Sequence, residues 1–194
     1  DDAEKIAGIV ANRLNTSSNY ILTGSTGVIG QKLPVEKIEN GIENAFKLLD
    51  NTDKSGHDAQ LAIMTTDTKT KEKCLLIEFG GKKFHLAGMA KGSGMIHPNM
   101  ATMISVITTD CNISLEMLQK SLNNVINKSF NRISVDGDTS VCDMVVLISS
   151  GKSGNDEINS DLSEEFKAFQ DALEILCIDL ARKIAADGEG ATKL

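Results

Sequence analysis

Residues 74–89 read CLLIEFGGKKFHLAGM, and this stretch decides the fold. The apolar runs at 74–79 and 84–89 have the composition of β-strands. The glycine pair Gly80-Gly81 between them is typical of the tight turn that joins two antiparallel strands. The stretch therefore predicts a β-hairpin.

Other segments on both sides of this hairpin have equally clear patterns. Apolar runs at 103–108 and 144–148 predict buried strands, and residues 20–23 predict a short strand. Apolar residues at helical spacing predict helices over 2–14, 34–49, 57–64, 114–126 and 162–185. Because the strands do not alternate strictly with helices, the pattern indicates an α+β fold with a mixed sheet layered with helices.

Length and charge limit the function classes that this chain can belong to. The chain has 194 residues, with 20 Lys+Arg against 27 Asp+Glu, which gives a net charge of -7. An acidic surface without a long basic run is unsuited to nucleic-acid backbones, and no apolar run approaches the length of a membrane-spanning helix. We therefore expect neither a nucleic-acid partner nor a membrane. Since the chain opens without a methionine and ends just after a glycine turn, we expect residues 1–194 to form one incomplete domain of a longer protein.

The cysteines and histidines indicate no metal or disulfide framework. No C-x-x-C pair is present, so we expect four buried free thiols in a reducing cytoplasm, at Cys74, Cys111, Cys142 and Cys177. The three histidines form no H-x-x-x-H pair, and the acidic turn at 136–138 lacks the further ligands of a calcium loop.

Three glycine-rich segments are candidates for chemistry. Residues 24–30 read GSTGVIG, whose glycine spacing fits neither of the common nucleotide-binding motifs. This loop is either a structural turn or a set of exposed N–H groups that stabilise an oxyanion. Residues 88–102 are either a ligand-binding loop, with Lys91 as its cation, or a structural crossing. In residues 187–193, Glu189 between two glycines either holds a ligand ammonium or lies in an exposed turn.

A family resemblance bears on these alternatives. Residues 91–103, KGSGMIHPNMATM, look like the self-cleavage segment of the bifunctional ornithine acetyltransferase/glutamate N-acetyltransferase family. Residues 25–30, 64–68, 134–139 and 188–193 resemble further motifs of this family in the same order. Family members are longer, and the chain resembles their middle portion. One departure is Cys142-Asp143-Met144, where the family usually has Asn-Asp-Thr.

The resemblance implies a self-processing fold with an N-terminal threonine nucleophile. It implies cleavage between Ala101 and Thr102, so that residues 1–101 end an α chain and residues 102–194 begin a β chain. Thr26 and Gly27 match the oxyanion-hole pair, and the freed Thr102 matches the nucleophile. The family's substrate-binding positions match Thr68, Lys91, Thr102 and Glu189.

The implied activity is acetyl transfer from N-acetylornithine to glutamate through an acetyl-threonine intermediate, in arginine biosynthesis. The resemblance leaves open whether acetyl-CoA is a second acetyl donor. It implies no cofactor. It also implies that the α and β chains form a homo-oligomer in the cytoplasm. Two alternatives remain. One is an N-terminal nucleophile amidohydrolase or aminopeptidase, which passes the acyl group to water, and the other is a folded fragment without catalysis.

Overall fold

The computed structural model describes residues 1–28, 30–94, 103–138 and 140–192. These residues form two compact units, Asp1–Ala59 and Gln60–Leu194. The expectation of one incomplete domain with a chain break after Ala101 stays a prediction, because Ala101 and Thr102 lie outside the described residues.

The first unit is built from helices. Helices α1 (Asp2–Leu14) and α2 (Val35–Lys47) form where the apolar spacing predicts them, and α3 (Asp53–Ile63) begins here. Asp1 and Glu4 form a capping box at the start of α1, which supplies partners for two otherwise free backbone N–H groups. α3 begins at Asp53, so the predicted start at His57 is four residues late.

The strand predicted over residues 20–23 is wrong. Ser18–Tyr20 form a 3₁₀ turn, and residues 21–26 have no regular structure. Tyr20 is 81% exposed and Leu22 is 71% exposed. Among the described residues of the first unit no strand is present to pair with this segment, and an unpaired strand leaves its backbone groups without partners.

A four-stranded mixed sheet forms the centre of the second unit. Strands β1 (Glu72–Phe79), β2 (Lys82–Lys91), β3 (Ile104–Thr109) and β4 (Met144–Ser149) lie in the order β1-β2-β3-β4. β2 is antiparallel to both of its neighbours, β1 and β3, and β4 is parallel to β3. Gly80 and Gly81 join β1 to β2 with φ of 57° and 75°, the left-handed values that a two-residue hairpin turn requires. Both the hairpin and the α+β class with a mixed sheet are confirmed.

Helix α5 covers this sheet, and helix α4 packs against α5. Ser114 caps α4 (Leu115–Ile126) and Ser163 caps α5 (Glu164–Ala186), and α5 packs on α4, β1 and β2. The apolar core between them includes Leu86, Ile107, Phe169, Leu173 and Leu176, none of which is exposed.

Gly88 explains why the loop predicted to begin at residue 88 begins later. A Cβ at this position would lie 2.8 Å from Leu176 Cδ2 and 3.1 Å from Leu180 Cδ1. The glycine therefore lets α5 approach the sheet closely, and β2 continues through it to Lys91.

The cysteines divide by burial. Cys111 and Cys177 are buried, and this burial raises their pKa values to about 11 and about 12. Cys142 is partly buried, whereas Cys74 is exposed. The expectation of burial is wrong for Cys74, because alternate residues of β1 point away from the core and residue 74 is one of them.

Candidate active site

A fully buried lysine lies at the junction of three segments of the second unit. Lys71 Nζ is 2.7 Å from Asp67 Oδ1 and 2.6 Å from Asp187 Oδ2. The side chains of Lys71, Asp67 and Asp187 are 0%, 0% and 3% exposed. Asp187 directly follows the last residue of α5, and Lys71 directly precedes β1. We call these three residues the buried ion cluster.

Backbone N–H groups donate further hydrogen bonds to both carboxylates. Asp187 Oδ2 accepts from the N–H groups of Thr68 at 2.9 Å and Lys69 at 3.3 Å, and Asp187 Oδ1 accepts from the Thr68 hydroxyl. Asp67 Oδ1 accepts from Gly92 N–H at 2.7 Å, and the main chain of Ala90 donates to Lys71 O at 2.8 Å. The cluster thus ties residues 67–71 to the end of β2 and to the end of α5.

These hydrogen bonds lower the pKa values of both aspartates. Burial alone raises the pKa of Asp187, but its bonds to Lys71 and to Thr68 outweigh this effect and lower the pKa to about 2. At Asp67, burial again raises the pKa, while bonds from Gly92, Lys71 and Thr65 lower it further than burial raises it. Both carboxylates are therefore ionised at neutral pH.

A pocket of about 360 Å³ opens beside the buried ion cluster. Its wall comes from the three segments that the cluster connects and from an acidic turn, and it is formed by Thr65, Thr66, Lys91, Ser93, Gly94, Asp136, Asp138 and Glu189. We call it the Lys91 pocket. Hydrogen bonds set its shape: the hydroxyls of Thr66 and Ser93 lie 2.6 Å apart, and Lys91 Nζ lies 3.3 Å from Thr65 Oγ1.

Glu189 enters this pocket because of two local features. Its N–H donates to Ser93 O at 2.7 Å, which fixes the main chain after α5 against the segment after β2. A Cβ on Gly94 would lie 2.8 Å from Glu189 Cδ and within 3.0 Å of both carboxylate oxygens. A side chain at position 94 would displace this carboxylate from its position.

The pocket carries opposite charges on two sides. Lys91 is 4% exposed, so its ammonium is largely withdrawn from water, whereas the Glu189 side chain is exposed. In this small polar pocket the Lys91 ammonium stands with the carboxylates of Asp136, Asp138 and Glu189, so its charges are complementary to a ligand that carries both a carboxylate and an ammonium group.

The structure places the other predicted site residues as follows. Thr68 bonds to Asp187 and does not line the Lys91 pocket, so its role in the described residues is to hold the buried ion cluster. Thr26 and Gly27 are exposed residues of the first unit. Ala101 and Thr102 lie outside the described residues.

The main chain directly after Thr102 is anchored on both sides. Met103 N–H donates to Asp143 Oδ1 at 2.7 Å, and Met144 N–H donates to Met103 O at 2.9 Å. Burial raises the pKa of Asp143, and the bond from Met103 and the charge of Lys91 oppose that rise. Within the described part of the chain, Asp143 Oδ2 is buried without a hydrogen-bond partner. The turn that departs from the family pattern at Cys142 and Met144 therefore keeps the aspartate that holds Met103.

Sequence reasoning missed the roles of Asp67, Lys71 and Asp187. Each lies in a polar stretch where no periodicity signals burial, and their pairing joins positions more than 100 residues apart. The four-residue spacing of Asp67 and Lys71 is the one local signal, and surface ion pairs show the same spacing.

Neither a metal centre nor a membrane helix is found in the parts of the chain that the structure describes. Those parts contain no group of three or more His, Cys, Asp or Glu side chains arranged to hold a metal ion. No helix among them is both long enough and apolar enough to cross a membrane.

Comparison with known proteins identifies close relatives. The model of the ArgJ family matches residues 1–194. The chain is 46% identical over 194 residues to the arginine biosynthesis bifunctional protein ArgJ of Oceanobacillus iheyensis, covering 46% of that protein. It is also 46% identical over 193 residues to the protein of the same name from Bacillus cereus, covering 47% of it. The chain thus spans about half the length of the curated relatives it matches.

One solved structure has similar identity. The crystal structure of an arginine biosynthesis bifunctional protein ArgJ from Bacillus halodurans is 48% identical to this chain, with a TM-score of 0.42. The match covers 44% of this chain and 39% of that chain.

Proposed function

Because the chain belongs to the ArgJ family, we propose that the full-length protein transfers an acetyl group from N-acetylornithine to glutamate in arginine biosynthesis. The observation that supports this proposal most directly is the Lys91 pocket. Lys91 and Glu189 are far apart in sequence and line the same cavity, with charges that fit an amino acid bearing a carboxylate and a second amine. Of the matched family positions, Lys91 and Glu189 support the proposal by lining one pocket.

The first chemical step is self-cleavage at Ala101–Thr102. The Thr102 hydroxyl attacks the carbonyl carbon of Ala101, the peptide C–N bond breaks, and the resulting ester is hydrolysed. The products are a carboxylate on Ala101 and a free α-amine on Thr102. This amine, with an ordinary pKa of about 7.7–8.0, is a base next to the hydroxyl that it must activate. The two hydrogen bonds of the Met103 main chain support this step, because they hold the residue next to the nucleophile.

The second step is acyl transfer in two halves. The Thr102 hydroxyl attacks the acetyl carbon of N-acetylornithine, the amide C–N bond breaks, and ornithine leaves with the proton on its amine. The amine of glutamate then attacks the acetyl ester, which regenerates the threonine hydroxyl and forms N-acetylglutamate. Thr26 and Gly27 stabilise the oxyanion in both halves, and one such donor contributes about 100- to 1,000-fold in rate.

Substrate recognition depends on Lys91 and Glu189, two of the charged residues that line the pocket. Lys91 binds the α-carboxylate of the substrate, since its ammonium is buried and gains a strong charge-assisted hydrogen bond there. Glu189 binds the side-chain ammonium of ornithine. Thr68 acts by holding Asp187, two residues before Glu189.

The proposal includes the expected partners and location. The α and β chains of the same precursor stay associated, the protein acts as a homo-oligomer in the cytoplasm, and no cofactor is needed because the protein itself carries the acetyl group. Whether acetyl-CoA is a further acetyl donor is decided by assay, since no described residue distinguishes family members that use acetyl-CoA from those that do not.

The processing step is tested by intact-mass measurement on the full-length protein and a Thr102→Ala variant. We expect two chains in the wild type, the second beginning at Thr102, and one uncut, inactive chain in the variant. Normal processing of Thr102→Ala would exclude this threonine as the cleaving group.

The transfer step is tested with Lys91→Met and Glu189→Gln in the full-length protein. Loss of one charge-assisted hydrogen bond lowers kcat/KM about 10- to 150-fold. Lys83→Met and Glu78→Gln are matched controls, because these two residues form an exposed ion pair with 59% and 63% of their side chains exposed. Acetate release that does not require glutamate would instead support the amidohydrolase, and wild-type kcat/KM in both site variants would remove Lys91 and Glu189 from the substrate site.

A further inference from the structure

A second, larger cavity lies next to the Lys91 pocket. It has a volume of about 630 Å³, and Glu189 contributes to the walls of both cavities. Its lining includes the cations Lys128, Arg132 and Arg182 and the apolar residues Val135, Ile178 and Ala181. We call it the arginine pocket. Its size is within the range of about 300–1,000 Å³ that small-molecule sites occupy.

Arg132 and Arg182 are exposed, and they differ from the third arginine of the chain in their partners. The sequence contains three arginines, Arg13, Arg132 and Arg182. Arg13 forms an ion pair with Glu43 at 2.5 Å. Neither the Arg132 nor the Arg182 guanidinium has a hydrogen-bond or ion-pair partner among the described residues, although the chain has an excess of acidic residues.

A helix dipole stabilises only one of these two arginines. Arg182 lies near the C-terminus of α5, where the helix dipole favours a cation. Arg132 is in the short 3₁₀ turn Phe130–Arg132, which offers no comparable stabilisation. Lys128 is neutralised by Glu174 at 2.8 Å, so the two guanidiniums supply the unbalanced positive charge.

Glu189 does not cancel this charge inside the arginine pocket. Its carboxylate lies against Gly94, which lines the Lys91 pocket and not the arginine pocket. The carboxylate is therefore directed into the neighbouring cavity, and the ionic character of the arginine pocket is cationic.

We propose that the arginine pocket binds a small oxyanion-bearing molecule, with Arg132 and Arg182 on its anionic group and the apolar wall on its carbon chain. A guanidinium presents a planar set of N–H donors that matches carboxylate and phosphate oxygens, whereas a lysine ammonium provides a single point charge. Phosphorylated metabolites and dicarboxylates are the two classes of molecule that carry such a multiply charged oxyanion.

The test measures binding rather than catalysis, so its result does not depend on acetyl transfer. Inorganic pyrophosphate and glutarate are titrated separately into the full-length protein by calorimetry, and the probe that binds identifies the source. Arg132→Ala and Arg182→Ala are each expected to weaken binding about tenfold, as for loss of one hydrogen bond to a charged group. Arg13→Ala is the matched control and is expected to bind like the wild type.

Ionic strength gives an independent readout. Raising the salt from about 0.05 M to about 0.2 M should weaken wild-type binding more than binding by the double arginine variant, because screening acts on the charges that the variant lacks. The proposal is overturned if neither probe binds, or if binding is unchanged in both arginine variants. It is also overturned if the arginine variants lower the melting temperature of a protein that binds neither probe, since the arginines would then pair with other parts of the full-length chain.

Discussion

Replacing Lys71 with methionine removes the cation from the buried ion cluster and tests how the site is held together. Methionine is similar in length, so the space is filled, but Asp67 and Asp187 then lose bonds of 2.7 and 2.6 Å to the lysine. Both carboxylates stay out of water, with side chains 0% and 3% exposed. Removing one partner of a buried ion pair costs about 3–5 kcal/mol in the free energy of unfolding, and we expect a loss in this range at pH 7.

The pH dependence of stability gives a second test of the buried ion cluster. In the wild type the pKa of Asp187 is about 2, below its unfolded value, so its contribution to stability is present above the unfolded pKa and is lost as the pH falls towards 2. Without Lys71 the pKa values of both carboxylates are higher than in the wild type, because only the remaining hydrogen bonds oppose the effect of burial, so the stability of the variant relative to the wild type rises as the pH falls from 7 to 4. The difference between the two proteins should therefore shrink over this interval.

Urea unfolding followed by circular dichroism at pH 7, 5 and 4 measures both effects. Lys73→Met is the control, since Lys73 lies two residues away and its ion pair with Asp179 at 3.1 Å is 31% and 29% exposed. We expect that control to lose about 0.2–1 kcal/mol, as exposed pairs do. The reasoning is refuted if Lys71→Met is no less stable than Lys73→Met. It is also refuted if the difference in the free energy of unfolding between the wild type and Lys71→Met widens as the pH falls.

Two glycine substitutions test the close approaches described above. Gly88→Ala should lower the free energy of unfolding by about 1–3 kcal/mol, because the new methyl group lies within 3.1 Å of both Leu176 and Leu180, and urea midpoints measure this. Gly41→Ala in α2 is its control and should raise stability by up to about 1 kcal/mol, since nothing lies within 4 Å of the added atom. Gly94→Ala should raise the KM for N-acetylornithine about tenfold with little change in melting temperature, because it displaces the exposed Glu189 carboxylate, and an unchanged KM would contradict the position of that carboxylate.

Local sequence determined the elements whose signals are local. The hairpin follows from the glycine pair at 80–81, since few residues other than glycine adopt its left-handed φ values. Helices α4 and α5 follow from apolar spacing together with the capping serines, Ser114 and Ser163. The α+β class follows from the order of these segments along the chain.

The tertiary structure decided which polar residues are buried and which distant residues meet. Residues 20–23 have strand composition, but composition does not supply a neighbouring strand, and the segment is irregular. Lys91 and Glu189 are recognisable in sequence as charged residues among glycines, whereas their common pocket depends on the bonds of Asp67 to Gly92 and of Asp187 to Thr68. The spacing of Asp67 and Lys71 does not signal that Lys71 is buried, because this burial depends on Asp187, which only the packing of α5 against the sheet brings within 3 Å of the lysine.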